Sequence, residues 1–154
     1  MILIPLLIMQ IFLFPLTVGW IMDTWVDSRR SLALEESASQ LGSSIQQIYF
    51  SLNHESISAG ALTTKFATQP FIEGYPYRGN ASLRTILEPE FNSSKILDVT
   101  LKVVGLEIAT TTSITLGQNV EWKNSTLISN STQACVTAEK FSNGTILLYF
   151  GAGT

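Results

Sequence analysis

The chain has little of what enzymes and metal proteins use for chemistry. Its 154 residues include one cysteine, Cys135, and one histidine, His54. A lone cysteine excludes an internal disulfide and a cysteine-rich metal site, and a lone histidine excludes most histidine-based sites. The common nucleotide-binding and hydrolase motifs are also absent. We therefore expect no enzyme and no cofactor, with Cys135 as a small core residue and His54 as a structural or solvated one.

Charge is scarce as well, and it is unevenly distributed. Charged residues make up 14% of the chain, against about 25% in ordinary soluble domains. A net charge of −3 leaves no basic face of the kind that nucleic acids require. The first 22 residues carry no charge, since the first acidic residue is Asp23 and the first basic residue is Arg29.

This uncharged opening segment is long enough to cross a membrane. As a helix it would extend about 33 Å, which matches the hydrocarbon core of a bilayer. Trp20 and Trp25 stand at its far end, where membrane interfaces favour tryptophan. Pro15 is predicted to kink or loosen the helix. The apolar run is too long for a secretory signal peptide and lacks a basic start, so we expect it to be retained.

The segment continues into an amphipathic helix without a linker. Apolar residues then recur at alternating intervals of four and three, which places them on one helical face. This stripe consists of Leu34, Ala38, Leu41, Ile45, Ile48 and Leu52. We predict one helix from about residue 2 to about residue 52, packed by the stripe on the chain's own head. The alternative, a coiled-coil stalk, is disfavoured because the stripe covers fewer than about three heptads. Residues 1–53 then form an assembly helix and residues 54–154 a head domain.

The head has the periodicity of β-strands. Residues 97–103 alternate between apolar and polar, and residues 108–116 are rich in β-branched side chains. Asn143-Gly144 between two β-rich runs predicts a hairpin. Further strands are predicted at 61–68 and 81–88, with a bend or bulge at Gly105 and a turn-rich connection at 73–80. The fold prediction is therefore α+β, with the long helix packed on an antiparallel sandwich or barrel of about six to eight strands.

The head also carries an excess of glycosylation sequons. Five Asn-x-Ser/Thr triplets fall in predicted turns or loops, at Asn80, Asn92, Asn124, Asn130 and Asn143. Seven asparagines in a chain that is about one-fifth Ser and Thr would give about one or two sequons by chance. The excess predicts N-linked glycans and an extracellular head.

The arginines that follow the apolar segment conflict with that location. Arg29 and Arg30 would place residues 29 onward in the cytoplasm by the positive-inside rule, whereas the sequons place them outside. Both signals are satisfied if a basic leader preceded residue 1 and was removed. We therefore expect Met1 to be a processed end.

This arrangement resembles the type IV pilins, in particular the archaeal type IV pilin and archaellin group. The matching features are the uncharged residues 1–22, the uninterrupted helix to Leu52 and the β-rich head. Pro5 stands where many bacterial pilins carry glutamate, which favours the archaeal group. The resemblance implies that a prepilin peptidase removes the leader from a membrane-inserted precursor. Pilus assembly machinery would then build a helical homopolymer at the cell surface, serving adhesion.

The resemblance also implies which residues form the filament core. They are the large apolar residues of the first half, namely Ile2, Ile4, Leu7, Ile8, Ile11, Phe12, Phe14, Leu16, Val18, Trp20 and Ile21. Two alternatives stay open. One is an archaellin, the subunit of a swimming filament, and the other is a membrane-anchored extracellular binding domain that never polymerises.

Overall fold

The architecture is one long helix followed by a β-rich head. A computed structural model of the chain describes residues 3–65, 68–86 and 94–151. Within these residues helix α1 (Leu3–Leu52) precedes eight strands, which are β1 (Gly60–Lys65), β2 (Tyr77–Ile86), β3 (Ser94–Val103), β4 (Ala109–Leu116), β5 (Val120–Trp122), β6 (Thr126–Ile128), β7 (Cys135–Lys140) and β8 (Ile146–Phe150). The predicted α+β class is confirmed.

The strands form two four-stranded sheets. One has the order β1-β7-β8-β5 and the other the order β4-β3-β2-β6. Side chains from both sheets meet in one buried cluster, including Leu101 of β3 and Leu148 of β8. The described strands do not close into a barrel, so the head is a sandwich. One pair departs from the predicted antiparallel pattern, because the short β5 runs parallel to β8.

The predicted hairpin is present, but two strand boundaries differ from the sequence prediction. β7 and β8 are antiparallel and joined through Asn143-Gly144, where Gly144 has a φ of 86°. β2 begins at Tyr77, inside the stretch predicted as a connection. Gly105 lies in the turn between β3 and β4 with a φ of 85°, and not in a bulge within one strand. The predicted connection is therefore correct for residues 73–76 and wrong for residues 77–80. Gly79 makes room for the adjacent strand, since a Cβ there would lie 2.8 Å from Leu101 Cδ2.

The second half of α1 closes one side of the sandwich. It packs mainly against β4 and also contacts β1, β3 and β7. Because β4 and β1 are edge strands of the two sheets, the helix bridges the gap between them. All six side chains of the stripe are at most 5% exposed. The stripe is therefore part of the core of the head.

Tyr49 fixes the end of the helix to the sheets. Its side chain is 3% exposed, its hydroxyl donates to Asn119 Oδ1 over 3.1 Å, and the same oxygen accepts from the Gly117 N–H over 3.1 Å. A buried hydroxyl with both a donor and an acceptor partner restricts how the helix can slide. The orientation of α1 relative to the head is thus set by packing and by directional bonds.

Candidate functional site

Residues 7–25 of α1, called the projecting half, extend from the head without a partner among the described residues. Every residue from position 7 to position 25 is exposed. Phe14 is 71% exposed and Trp20 is 72% exposed. The predicted filament-core side chains that the structure describes all belong to this projecting half, namely Leu7, Ile8, Ile11, Phe12, Phe14, Leu16, Val18, Trp20 and Ile21. Ile2 and the side chain of Ile4 lie outside the described part.

Such a segment is unsuited to remaining alone in water. Its most apolar window has a mean hydropathy of 1.5 and is 0% buried, and α1 is long and apolar enough to cross a membrane by length and composition. Soluble monomers rarely expose contiguous apolar patches of more than a few hundred Å². The projecting half is therefore compatible with insertion into a membrane.

Both threonines of the projecting half have side chains suited to an apolar environment. Thr17 Oγ1 donates to the carbonyl of Phe14 over 2.9 Å and lies 3.1 Å from that of Leu13. Thr24 Oγ1 donates to the carbonyl of Trp20 over 2.8 Å. Because these hydroxyls are satisfied within the helix, burying them costs little. The helix also continues through Pro15, so the projecting half remains a single segment.

An arginine joint marks the point where α1 leaves the head. Arg30 Nε lies 3.2 Å from Glu73 Oε2, and its guanidinium also contacts Asp27 Oδ1 at 3.2 Å. The Arg30 guanidinium lies over the ring of Tyr75 at 5.3 Å from its centre. Arg29 adds a longer contact of 3.7 Å to Glu73. These five residues tie the helix to the loop before β2, at the border between exposed and buried helix.

The loop that contributes Glu73 to the arginine joint has a strained backbone. Glu73 has a φ of 47° and Gly74 a φ of 87°, and Ile72 and Tyr75 exchange both backbone hydrogen bonds across this turn. A non-glycine residue in the left-handed region is uncommon and is held there by its surroundings. The pairing of Asp27 with Arg30 is predictable from their i,i+3 spacing on a helix. Sequence reasoning missed the contact to Glu73, because residues 43 positions apart leave no local pattern.

Four of the five sequon asparagines are described, and all four are exposed. Asn124, Asn130 and Asn143 lie outside the strands, in loops or turns. Asn80 lies within β2, between β3 and β6, so its predicted loop position is wrong. Asn92 lies outside the described residues.

The groups with reactive chemistry are dispersed. Cys135 is buried at the start of β7, and desolvation raises the pKa of its thiol. His54 lies at the surface after α1, with Nδ1 2.8 Å from Ser56 Oγ. Tyr149 donates a hydrogen bond to Glu139, which with burial raises the pKa of Tyr149 to about 12 and keeps the phenol protonated at neutral pH. No cluster of three or more metal-ligating side chains occurs among the described residues.

The candidate site is therefore the projecting half of α1, which ends just before the arginine joint. Comparison of the chain with protein-family models, with curated proteins and with solved structures finds no match. The geometry of the helix is the feature from which a function can be inferred.

Proposed function

We propose that the chain is the repeating structural subunit of an extracellular helical filament of the type IV pilin kind. The observation that carries the proposal is the division of one continuous helix into two environments. Its second half buries one face in the core of the head, whereas residues 7–25 are exposed all round and mostly apolar. An amphipathic surface helix would have a broad polar face for solvent, whereas the polar side chains of this segment are few, namely Gln10, Thr17, Asp23 and Thr24.

The energies involved favour assembly through the helix. Complete burial of one large apolar side chain contributes about 1.5–3 kcal/mol. Nine described core residues would offer about 14–27 kcal/mol if each passed from full exposure to full burial. The gain on assembly is smaller, because these side chains are 40–72% exposed in the single chain, and it is comparable with the usual cost of association of about 4–15 kcal/mol. The free-energy difference between a filament core and a bilayer is smaller, because lipid is as apolar as the helix. The proposed role of the bilayer is to hold the subunits until packed neighbouring helices replace it.

A stiff connection between helix and head supports an ordered polymer. α1 has no linker between the projecting half and the stripe, and the arginine joint and Tyr49 fix its direction. Each copy can then meet the next with the same rotation and translation. A repeated contact between different surfaces that does not close into a ring produces an open helical filament.

The finer parts of the proposal follow the family resemblance. The subunit is made as a membrane-inserted precursor, a prepilin peptidase removes a basic leader, and assembly machinery transfers the subunit into the filament. The head faces outward, carries N-linked glycans at several of the five sequons, and serves adhesion. Exposure of Asn80, Asn124, Asn130 and Asn143 supports their modification.

A second candidate is an anchored extracellular domain that does not polymerise. It is favoured by the suitability of α1 as a membrane span, and it shares the extracellular head and glycans. The absence of a flexible segment between span and head counts against it, since a tethered binding domain gains reach from a linker. An archaellin-type subunit would have the same helix and head, and it differs from a pilin in that its filament rotates for swimming.

The proposal is tested by isolating surface filaments from cells that produce the chain. Electron microscopy should show filaments, and mass spectrometry of the isolated filaments should identify peptides of this chain as their main subunit. Labelling with an antibody to the head should decorate the filament along its length. Labelled membranes with no labelled filament would instead support the anchored domain.

A further inference from the structure

The outer face of the β4-β3-β2-β6 sheet contains a groove beside Asn80. Its volume is about 390 Å³, and its lining includes Arg78, Asn80, Thr100, Lys102, Val104 and Ala109. Val104 and Ala109 supply apolar surface, and Gly105 adds no side chain at the rim. The groove thus combines two cations with a small apolar floor.

The two cations are placed unfavourably for the isolated chain. Arg78 of β2 and Lys102 of β3 are directly opposite each other in the strand register, and like charges at such positions destabilise a sheet. Lys102 Nζ is 3.0 Å from Glu107 Oε2, whose carboxylate is 96% exposed. The guanidinium of Arg78 has no ion pair or hydrogen bond to any residue that the structure describes. Arg78 therefore lacks an anionic partner among the described residues, and Lys102 has a solvent-exposed one.

Asn80 lies where an attached group could bring an anion to Arg78 and Lys102. It lies two residues after Arg78 on the same face of β2, a separation of about 6.6 Å along the strand. Its side-chain oxygen accepts a hydrogen bond from Thr126 Oγ1 over 3.0 Å, which leaves the amide nitrogen, the atom that carries an N-linked sugar, without a partner among the described residues. Thr100 stands opposite Asn80 on β3 and lines the same groove.

We propose that this groove seats the first sugars of a glycan attached to Asn80, and that this glycan carries a carboxylate or sulfate group bound by Arg78 and Lys102. Sugar ring faces pack on Val104 and Ala109. The Thr100 hydroxyl is hydrogen-bonded to Thr111 Oγ1 over 2.8 Å and keeps a further acceptor site for a sugar hydroxyl. Charge-assisted hydrogen bonds from an arginine to an oxyanion are among the stronger polar contacts. The inference rests on the proposed function as an extracellular, glycosylated subunit. It adds that the glycan at Asn80 is acidic and that it binds in this groove.

The test compares thermal unfolding of the full chain, solubilised in detergent, with and without its glycans. In the natively glycosylated chain Arg78→Gln should lower the unfolding temperature by about 3 °C, because an anion loses its partner. In unglycosylated chain from a host without N-glycosylation, the same change should raise the temperature or leave it unchanged, because it relieves the repulsion with Lys102. Arg84→Gln is the matched control, since Arg84 lies on the same strand and is paired with Asp98 at 2.6 Å. Its effect should be equal in both preparations.

Glycopeptide mass spectrometry supplies the second readout. An acidic sugar or sulfate at Asn80, together with the reversed sign for Arg78→Gln, is the expected result. An equal shift in both preparations, a neutral glycan at Asn80, or an unmodified Asn80 would each overturn the inference. A stabilising effect of inorganic sulfate on the unglycosylated chain, combined with a neutral glycan at Asn80, would assign the cations to a free anion instead. Filaments that assemble with Asn80 unmodified would remove this inference and leave the proposed filament subunit standing.

Discussion

The two halves of α1 have the same backbone conformation and opposite surroundings. Between residues 30 and 52, the helix buries one face on the sandwich and exposes the other. Between residues 7 and 25, every position is exposed although nearly all side chains are apolar. The secondary structure of the two halves is identical, so the distribution of polar side chains decides which half belongs to the head.

The border between the halves is a chemical one. The arginine joint brings two cations and two carboxylates together at the first contact with the head. Groups of this kind do not enter an apolar environment at low cost. The joint would therefore limit how far the helix can enter an apolar environment, and it gives Arg29 and Arg30 a structural role at the head.

The largest expected effect comes from placing the same charge in each half. Ile45 is 0% exposed, so Ile45→Asp should destabilise the head by about 4 kcal/mol or more, as an unpaired buried carboxylate. Phe14→Asp should leave the head stability unchanged while abolishing filament assembly. Near-UV circular dichroism during denaturation measures the first effect, and electron microscopy measures the second.

The control for both variants is Gln47→Asp, because Gln47 is exposed on α1 within the head. It should change neither the stability nor the assembly substantially. If Ile45→Asp unfolded the head no more readily than Gln47→Asp does, the division of the helix described above would be wrong.

A smaller effect is expected at the end of the buried half. Tyr49→Phe removes a hydroxyl that joins Asn119 and the Gly117 N–H. Leaving these partners unsatisfied should cost about 1–3 kcal/mol. The free energy of unfolding, obtained from a urea titration, measures the loss. Tyr75→Phe is the control, since it keeps the ring that lies against Arg30 and removes only the hydroxyl of a side chain that is 39% exposed. Equal stability of Tyr49→Phe and the unchanged chain would mean that apolar packing alone fixes the helix end.

The arginine joint should contribute less to the free energy of unfolding than the Tyr49 hydroxyl does. Arg30→Gln removes contacts to Glu73 and Asp27 that are only partly shielded from water, and partly exposed pairs contribute about 1 kcal/mol or less. The loss should shrink as salt is added, because salt screens charge pairs. Arg29→Gln provides the comparison, since its contact to Glu73 is longer, at 3.7 Å, and more exposed. A loss for Arg29→Gln that exceeds that for Arg30→Gln would contradict the assigned joint.

The smallest predicted effect lies on the head, away from both halves of the helix. Hydrogen bonds from Ser113 and from Arg84 hold the pKa of Asp98 below its usual value. A depressed folded-state pKa gives stability that is present above about pH 4 and is lost as the pH falls through the folded value. The stability difference between the unchanged chain and Asp98→Asn should therefore narrow on acidification. Urea titrations at about pH 7 and about pH 2 measure it, and a difference that widened at low pH would contradict the assignment.

Periodicity was sufficient to predict the helix and its buried face. The four-and-three spacing from Leu34 to Leu52 specifies one side of a helix whatever it packs against. The Asn143-Gly144 hairpin was equally accessible, because its turn chemistry is local. These are the features that neighbouring residues determine by themselves.

The remaining features depend on contacts between distant residues. Gly79 was interpreted as a turn residue, yet its role is to make room for Leu101 on the adjacent strand. The parallel pairing of β5 with β8 follows from the arrangement of the whole sandwich, since a three-residue strand carries too little pattern to specify a partner. Likewise, Asn80 and Lys102 share a groove only because β2 pairs with β3 in one register.

The central claim is that the projecting half of α1 drives polymerisation and the rest of the chain does not. The direct measurement is electron microscopy of the chain from Ser28 onward beside the full chain, both after removal of detergent. The shortened chain keeps the stripe and both sheets, so it should fold, stay soluble and form no filaments, while the full chain assembles. Subunits joined by donation of a strand to an open sheet edge would not need residues 1–27. Native-like filaments from the shortened chain would therefore contradict the account.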